Sequence, residues 1–259
     1  MKLQVTAVEG IPMVEPGADL PALILAALAG MGLDLQADDV VAVTGKIVSK
    51  AEGRLVDLAT VEPSPRAHRL AVETEKDPRL VELVLRESVD VIRARPGNLL
   101  VRHRHGYVSA MAGIDRSNVG GDDEHALLLP DDPDASAAAI RGGLLAATGV
   151  AVAVVVTDSH GRPFRIGNLG VALGVAGLQA VRELEGRPDL FGRPLTAASV
   201  VPVADLVAST AMLVSGEADE GLPVVLVRGL ALTEPPSTAA GLLRPRDKDL
   251  FAVPDRDYG

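Results

Sequence analysis

Four short segments carry side chains that could bind a hard cation or a phosphate. In Gly113-Ile114-Asp115-Arg116-Ser117-Asn118 an Asp and an Asn three apart follow a glycine turn and can aim oxygen atoms at one point. Asp115 would hold a hard cation and the Asn118 amide would hydrogen-bond a phosphate or a base, although an Asx-turn uses the same residue types with no ligand. In Val156-Thr157-Asp158-Ser159-His160-Gly161-Arg162-Pro163-Phe164-Arg165 the Asp ends an apolar strand, where side chains are held rigidly beside open clefts. Arg162 and Arg165 offer paired donors to phosphate or carboxylate, or ordinary charges on a surface loop. Ser215-Gly216-Glu217-Ala218-Asp219-Glu220-Gly221 puts three acids in four residues between glycines, which suits a metal loop or a solvated turn. Thr44 to Lys50 carries Lys46 and Lys50 just beyond a strand, where they could neutralise a triphosphate or simply be solvated.

Other chemistries find no support. Position 40, where a Walker P-loop ending at Gly45-Lys46 needs its first Gly, is Val. The glycines from Gly161 to Gly177 do not form G-x-G-x-x-G after a strand, and no G-x-S-x-G elbow exists. Cysteine is absent, so disulfides, thiolate catalysis and zinc–thiolate sites are excluded. His103 and His105 share a strand face, but no third ligand sits at zinc-site spacing. A net charge of −10 argues against nucleic-acid binding, which needs a basic stripe, but not against a nucleotide accompanied by cations. The opening Met1-Lys2-Leu3-Gln4-Val5-Thr6 has no charged-then-apolar leader, and the stretch from Leu144 to Val156 is too short to span a bilayer. No membrane association and a cytoplasmic location are the expectation.

The elements that must position these residues follow from periodicity and punctuation. The chain of 259 residues is long enough for a sizeable core, built from Val, Leu and Ala because it has three Phe, two Tyr and no Trp. Strands are expected at Leu3–Val8, Val40–Val43, Val89–Arg93, Leu99–Arg102, Val150–Val156 and Pro223–Val227. Asp19 should cap a helix that runs through Leu28 and stops at Gly30 or Gly32, and Pro12 to Gly17 reads as a turn. Residues 66–75 and 79–86 read as helices broken by Pro78, 136–147 as a helix opened by Pro133, and 202–214 as an amphipathic helix. Strands and helices alternate too irregularly for clean βαβ units, so α+β with mixed or antiparallel sheets and flanking helices is predicted. The chain reads as a single domain over 1–259, with two subdomains divided near 130–135 as an option.

Taken in order and spacing, the segments resemble the coenzyme F-420-0:L-glutamate ligase family. The resemblance runs through Ile11-Pro12 to Asp19-Leu20, Lys46-Ile47-Val48-Ser49-Lys50-Ala51-Glu52-Gly53-Arg54 and Arg104-His105-Gly106-Tyr107-Val108. It continues with Ala112-Gly113-Ile114-Asp115-Arg116-Ser117-Asn118-Val119, Thr157-Asp158-Ser159-His160-Gly161-Arg162-Pro163, Ala204 to Ala208, Ser215-Gly216-Glu217 and the tail Leu243 to Phe251. Ile-Asp-x-Ser-Asn and Thr-Asp-x-x-Gly-Arg-Pro are its most specific pieces. Departures are Met111 where the family often has Asn, a variable Gly45 step, Ser215 for a common Met, and His160 for a frequent aromatic.

The resemblance implies an intimate two-fold homodimer of α+β fold and a GTP-dependent amide ligase. Its substrates would be GTP, L-glutamate and coenzyme F-420-0, joined through an acyl phosphate on the lactyl carboxylate, with further γ-linked glutamates as an extension. Two divalent cations, manganese or magnesium, would bridge the phosphates, with potassium as an additional ion. Carried over, Asp115, Asp158, Ser159 and Glu217 are metal-site residues, and Asp115, Asp158 and Lys50 carry catalysis. GTP would contact Ile11, Pro12, Met13, Val14, Gly45, Lys46, Lys50 and Asn118, together with Ser215, Gly216, Ala218, Asp219, Glu220, Gly221 and Leu222. A metal-dependent phosphohydrolase and a non-catalytic nucleotide or deazaflavin carrier are the alternatives.

Overall fold

The computed structural model describes residues 2–117, 119, 124–195, 200–215, 220–232, 235–249 and 251. In chain order it contains β1 (Gln4–Ala7), α1 (Leu20–Gly30), β2 (Val40–Thr44), α2 (Gly45–Ala51), β3 (Leu55–Asp57), α3 (Pro65–Thr74) and α4 (Pro78–Arg86). The hairpin strands β4 (Ser88–Arg95), β5 (Asn98–His103) and β6 (Val108–Ala110) follow, then β7 (His125–Leu127), α5 (Pro133–Thr148), β8 (Ala153–Gly161) and β9 (Asn168–Ala176). The short β10 (Arg182–Glu183) and β11 (Val200–Val201) precede α6 (Val203–Ser215) and β12 (Val224–Arg228).

The central sheet has five strands in the order β1-β12-β2-β8-β9. Only β2 and β8 run parallel, from Val40 opposite Ala153 to Thr44 opposite Thr157, and every other pair is antiparallel. The fold is therefore α+β with a mixed sheet. Both faces are covered, which is why Val40–Val43 and Val152–Val156 are unbroken apolar runs. Alternate residues supply the two layers: Val41, Val43, Val154 and Val156 meet Ile24 and Leu28 of α1 and Ile140 and Leu144 of α5. Val40, Ala42, Ala153 and Val155 meet Val203, Ala204, Val207 and Ala211 of α6.

Caps and prolines set the helix starts. The Asp19 and Asp132 carboxylates each accept the N–H three residues on, both at 3.0 Å, and Pro133 takes the first turn, so α5 begins three residues before the expected Ser136. Pro78 opens α4 behind its Asp77 cap, rather than breaking α3, which ends at Thr74 with Glu75 in the left-handed conformation. The larger differences lie in the sheet. β8 extends through Gly161, five residues beyond the expected strand end at Val156, and the glycine-rich stretch contains β9. Gly170 and Gly174 exist for contact: a Cβ on Gly170 would run into the Ala208 carbonyl of α6, and one on Gly174 into the Pro133 carbonyl of α5. A bulge on β9, where Gly174 pairs with Val156 but Ala172 pairs with Thr157, turns the two glycines to opposite faces.

Between α2 and α5 the chain builds a second layer, with β4, β5 and β6 as a three-stranded sheet against α3 and α4. Its own apolar cluster joins Leu70, Val81, Val84, Val91, Leu99 and Val101. Glu87 fastens this layer to the rest. Its Oε2 accepts from Arg54 and Arg104, each at 3.1 Å, while Arg54 also donates to the Leu129 carbonyl at 3.0 Å and Arg104 to Asp131 at 2.8 Å. Buried His103 stacks on Tyr107 with ring centroids 4.9 Å apart, and His105 faces the Pro130 carbonyl at 3.2 Å. Among the described residues, no helix is long and apolar enough to cross a membrane.

Candidate active site

The parallel pairing of β2 and β8 determines where the site forms. Thr44 opposite Thr157 brings the residues that leave both strands, Gly45-Lys46 and Asp158-Ser159, to one edge. The mouth of a parallel pair, beyond the carboxyl ends of its strands, is where side chains and backbone face open space. Gly45 allows the close approach, since a Cβ there would sit 3.3 Å from the Thr157 carbonyl.

A cavity of about 1050 Å³ opens at this edge. Lys46, Lys50, Asp115, Asp158 and Ser159 line it, as do Gly45 and the loop Ile11, Pro12, Met13 and Val14. Ser215, Glu220, Gly221 and Leu222 close another side. Asn118, Gly216, Glu217, Ala218 and Asp219 lie outside the described residues. Arg162 and Arg165 are not among the lining residues; Arg162 donates to the Gly167 carbonyl at 2.9 Å and closes the β8–β9 turn. Four segments far apart in sequence, together with the 11–14 loop, are thus gathered around one volume.

Asp115 reaches the cavity on a constrained backbone. It pairs with Leu127 through two main-chain hydrogen bonds, of 3.0 and 2.9 Å, which extend the β7 edge. Just before it, Met111, Ala112 and Gly113 all have left-handed φ values, of 51°, 55° and 67°. For the two residues with a Cβ this costs on the order of 1 kcal/mol each, held in place by burial of Ala112 and by Leu129 against Gly113.

The carboxylate is tightly held. Oδ1 accepts from the Ser117 N–H at 2.7 Å and its hydroxyl at 2.8 Å, and Oδ2 meets the Lys46 ammonium at 2.7 Å. Burial would raise the Asp115 pKa, but the Lys46 and Ser117 hydrogen bonds outweigh it and hold the pKa below the usual carboxylate value. Lys46 also donates to the Ser117 carbonyl at 3.1 Å, so the lysine read as solvated is in fact an internal partner. The Lys50 pKa is lowered by burial first and by neighbouring Lys46 second, with Asp115 opposing. On β8, His160 lies two residues from Asp158 on the same strand face, and its Nε2 is 3.0 Å from Asp158 Oδ2.

The donor set fits a hard divalent cation. Asp115, Asp158 and Ser159 offer oxygen only, and phosphate oxygens and water would complete the shell, as magnesium and manganese require. Among the described residues no three acidic or imidazole groups converge closely enough to form a site by themselves, so substrate oxygens would have to supply part of it.

Several lining residues were not singled out from sequence. Ser117 lay inside a quoted motif, yet its bonds to Asp115 and Lys46 depend on a turn that spacing does not reveal. Asn168, Gly170, Ala208 and Met212 come from β9 and α6, and only the packing of that helix on that strand brings them to the cavity.

Comparison with known proteins bears on the whole chain. The family model described as F420-0:Gamma-glutamyl ligase matches residues 10–229. A protein of Methanothermobacter thermautotrophicus named Coenzyme F420:L-glutamate ligase is 46% identical over 97% of this chain and 99% of its own length. Proteins of the same name from Methanopyrus kandleri and Haloarcula marismortui are 42% and 47% identical, covering 94% and 87% of this chain and 96% and 87% of their own.

Proposed function

We propose, since the chain belongs to the F420-0:gamma-glutamyl ligase family, that it joins L-glutamate to the coenzyme F-420 precursor through an amide bond driven by GTP. The observation that carries this reading is the convergence of Lys46, Lys50, Asp115 and Asp158 on one large cavity. At about 1050 Å³ it lies at the upper end of ordinary small-molecule sites, which suits a nucleotide and a second substrate side by side.

A carboxylate does not react with an amine in neutral water, so it must first be activated. The terminal phosphoryl group of GTP passes to the lactyl carboxylate of the precursor, giving an acyl phosphate and GDP. Glutamate's neutral amine then attacks the acyl carbon, phosphate leaves and an amide forms. Lys46 and Lys50 neutralise charge on the transferring group and orient it. Asp115 and Asp158, with Ser159 and Glu217, would hold divalent manganese or magnesium, which would supply further neutralisation of phosphate charge. Ile11 to Val14 and Leu222 shield the reacting atoms from water that would hydrolyse the acyl phosphate. A homodimer belongs to this reading. The exposed Phe164, Ile166, Leu190 and Phe191 support it, because a soluble monomer rarely leaves so many large apolar side chains in water.

The test is phosphate release from GTP with Mn²⁺ or Mg²⁺, leaving out precursor and glutamate in turn, with products read by mass spectrometry. Release that requires both acceptors, with a glutamyl mass gain, is expected. Release without either acceptor would mark a phosphohydrolase, and tight binding without release a carrier.

A further inference from the structure

We infer that His160 is a positioning residue for Asp158, fixing its carboxylate for the divalent cation; this rests on the reading of Asp158 as a metal ligand given above. β8 continues through Gly161, so His160 is paired in a strand, opposite Leu169, rather than free in a loop. Residues two apart on a strand share a face, which places the imidazole beside the Asp158 carboxylate. Its Nε2–H donates to Oδ2 at 3.0 Å.

The ring has little room to leave. The His160 side chain is 12% exposed, against 28% for Asp158, which lines the main cavity. Behind it lies a second cavity of about 240 Å³, bordered by His160, Tyr107, His105 and Asp205. Tyr107 packs on the imidazole with ring centroids 5.3 Å apart, and Asp205 on α6 is tied to the Ala172 N–H of β9 at 2.9 Å. The imidazole therefore stands on a rigid wall between the two cavities. An aspartate alone turns about two side-chain bonds. With Oδ2 held by His160, its orientation is set and the remaining lone pairs are left for a cation. Carboxylates that bind metals depend on such outer partners, and losing one typically weakens metal affinity about 10- to 100-fold.

The experiment titrates Mn²⁺ into the metal-free full chain with saturating GDP, following the free-ion signal by electron paramagnetic resonance. His160→Phe should weaken Mn²⁺ binding about tenfold or more, and His160→Gln, whose amide nitrogen can reach the same oxygen, should restore most of it. The Mn²⁺ concentration for half-maximal turnover should move in parallel. His160→Ala replaces the Phe variant if that one does not fold, as judged by its metal-free melting curve. Unchanged affinity in the Phe variant, or equal loss in Phe and Gln, overturns the inference. Asp158→Asn separates the two readings. If it loses Mn²⁺ while His160→Phe does not, only the positioning role falls. If it binds Mn²⁺ like the wild type, the ligand assignment fails and the inference with it.

Discussion

Lys46 and Asp115 form an ion pair of 2.7 Å where a divalent cation would also compete for the carboxylate. Lysine and metal cannot both hold Oδ2 at full strength, so on the proposed reading Lys46 would turn toward phosphate when nucleotide and metal bind. Lys46→Met should therefore bind Mn²⁺ more tightly than the wild type without nucleotide, yet GTP more weakly; calorimetric titrations of each ligand check both signs. Asp158→Asn should reduce amide formation by at least 100-fold, measured as glutamylated product, because on the proposed reading a neutral amide oxygen would hold the cation more weakly than a carboxylate and would leave its charge uncompensated. The chemical types of these residues were legible from sequence, since an aspartate at the end of an apolar strand and a lysine after another are local patterns. Their partnership was not. Lys46 read as solvated because nothing in a linear chain reveals a residue 69 positions away folded over it.

At the scale of elements, Glu87 joins the hairpin layer to the segment leading into α5. Burial alone would raise its pKa, but the His103 imidazole 3.6 Å away and the Arg104 and Arg54 guanidiniums that donate to it bring it from 4.5 down to about 2. A depressed carboxylate pKa contributes stability above the unfolded-state value and loses it as pH falls through the folded one. Acid unfolding should thus draw on Glu87 between about pH 4.5 and 2, with on the order of 3 kcal/mol at stake. Glu87→Gln should lower the urea midpoint at pH 7 and flatten the decline on acidification. On β9, Gly174→Ala should cost ~3 kcal/mol in denaturant titration, because its Cβ meets rigid main chain at Pro133. The start of α1 was readable, since Asp19 caps it by a local rule, whereas α5 begins three residues before the expected Ser136, behind an Asp132 cap that was not read. β9 was not readable. Glycine has poor strand propensity, and what selects it at Gly170 and Gly174 is the backbone of two helices remote in sequence.

For the whole molecule, ligand linkage offers the simplest check. A site that binds GTP and metal only when folded should raise stability by about 2.7 kcal/mol at a hundredfold excess over Kd. Differential scanning calorimetry with GDP and Mn²⁺ should show a higher melting temperature than with either alone, because on the proposed reading Asp115 and Asp158 would need phosphate oxygens to complete the coordination. The α+β class was visible in the irregular alternation of elements. The gathering of four distant segments at one mouth depends on the parallel β2–β8 register, which periodicity does not encode.

The order β1-β12-β2 has a consequence for the life of the chain before it is an enzyme. Among the described strands, β12, which lies between β1 and β2, comes last in chain order. Until Val224 to Arg228 leaves the ribosome, the Val-rich β2 presents an unpaired edge, with its template for other chains uncovered. A nascent chain that has passed β2 but not yet β12 therefore carries an adhesive margin, and chaperone capture should fall sharply once β12 slots in.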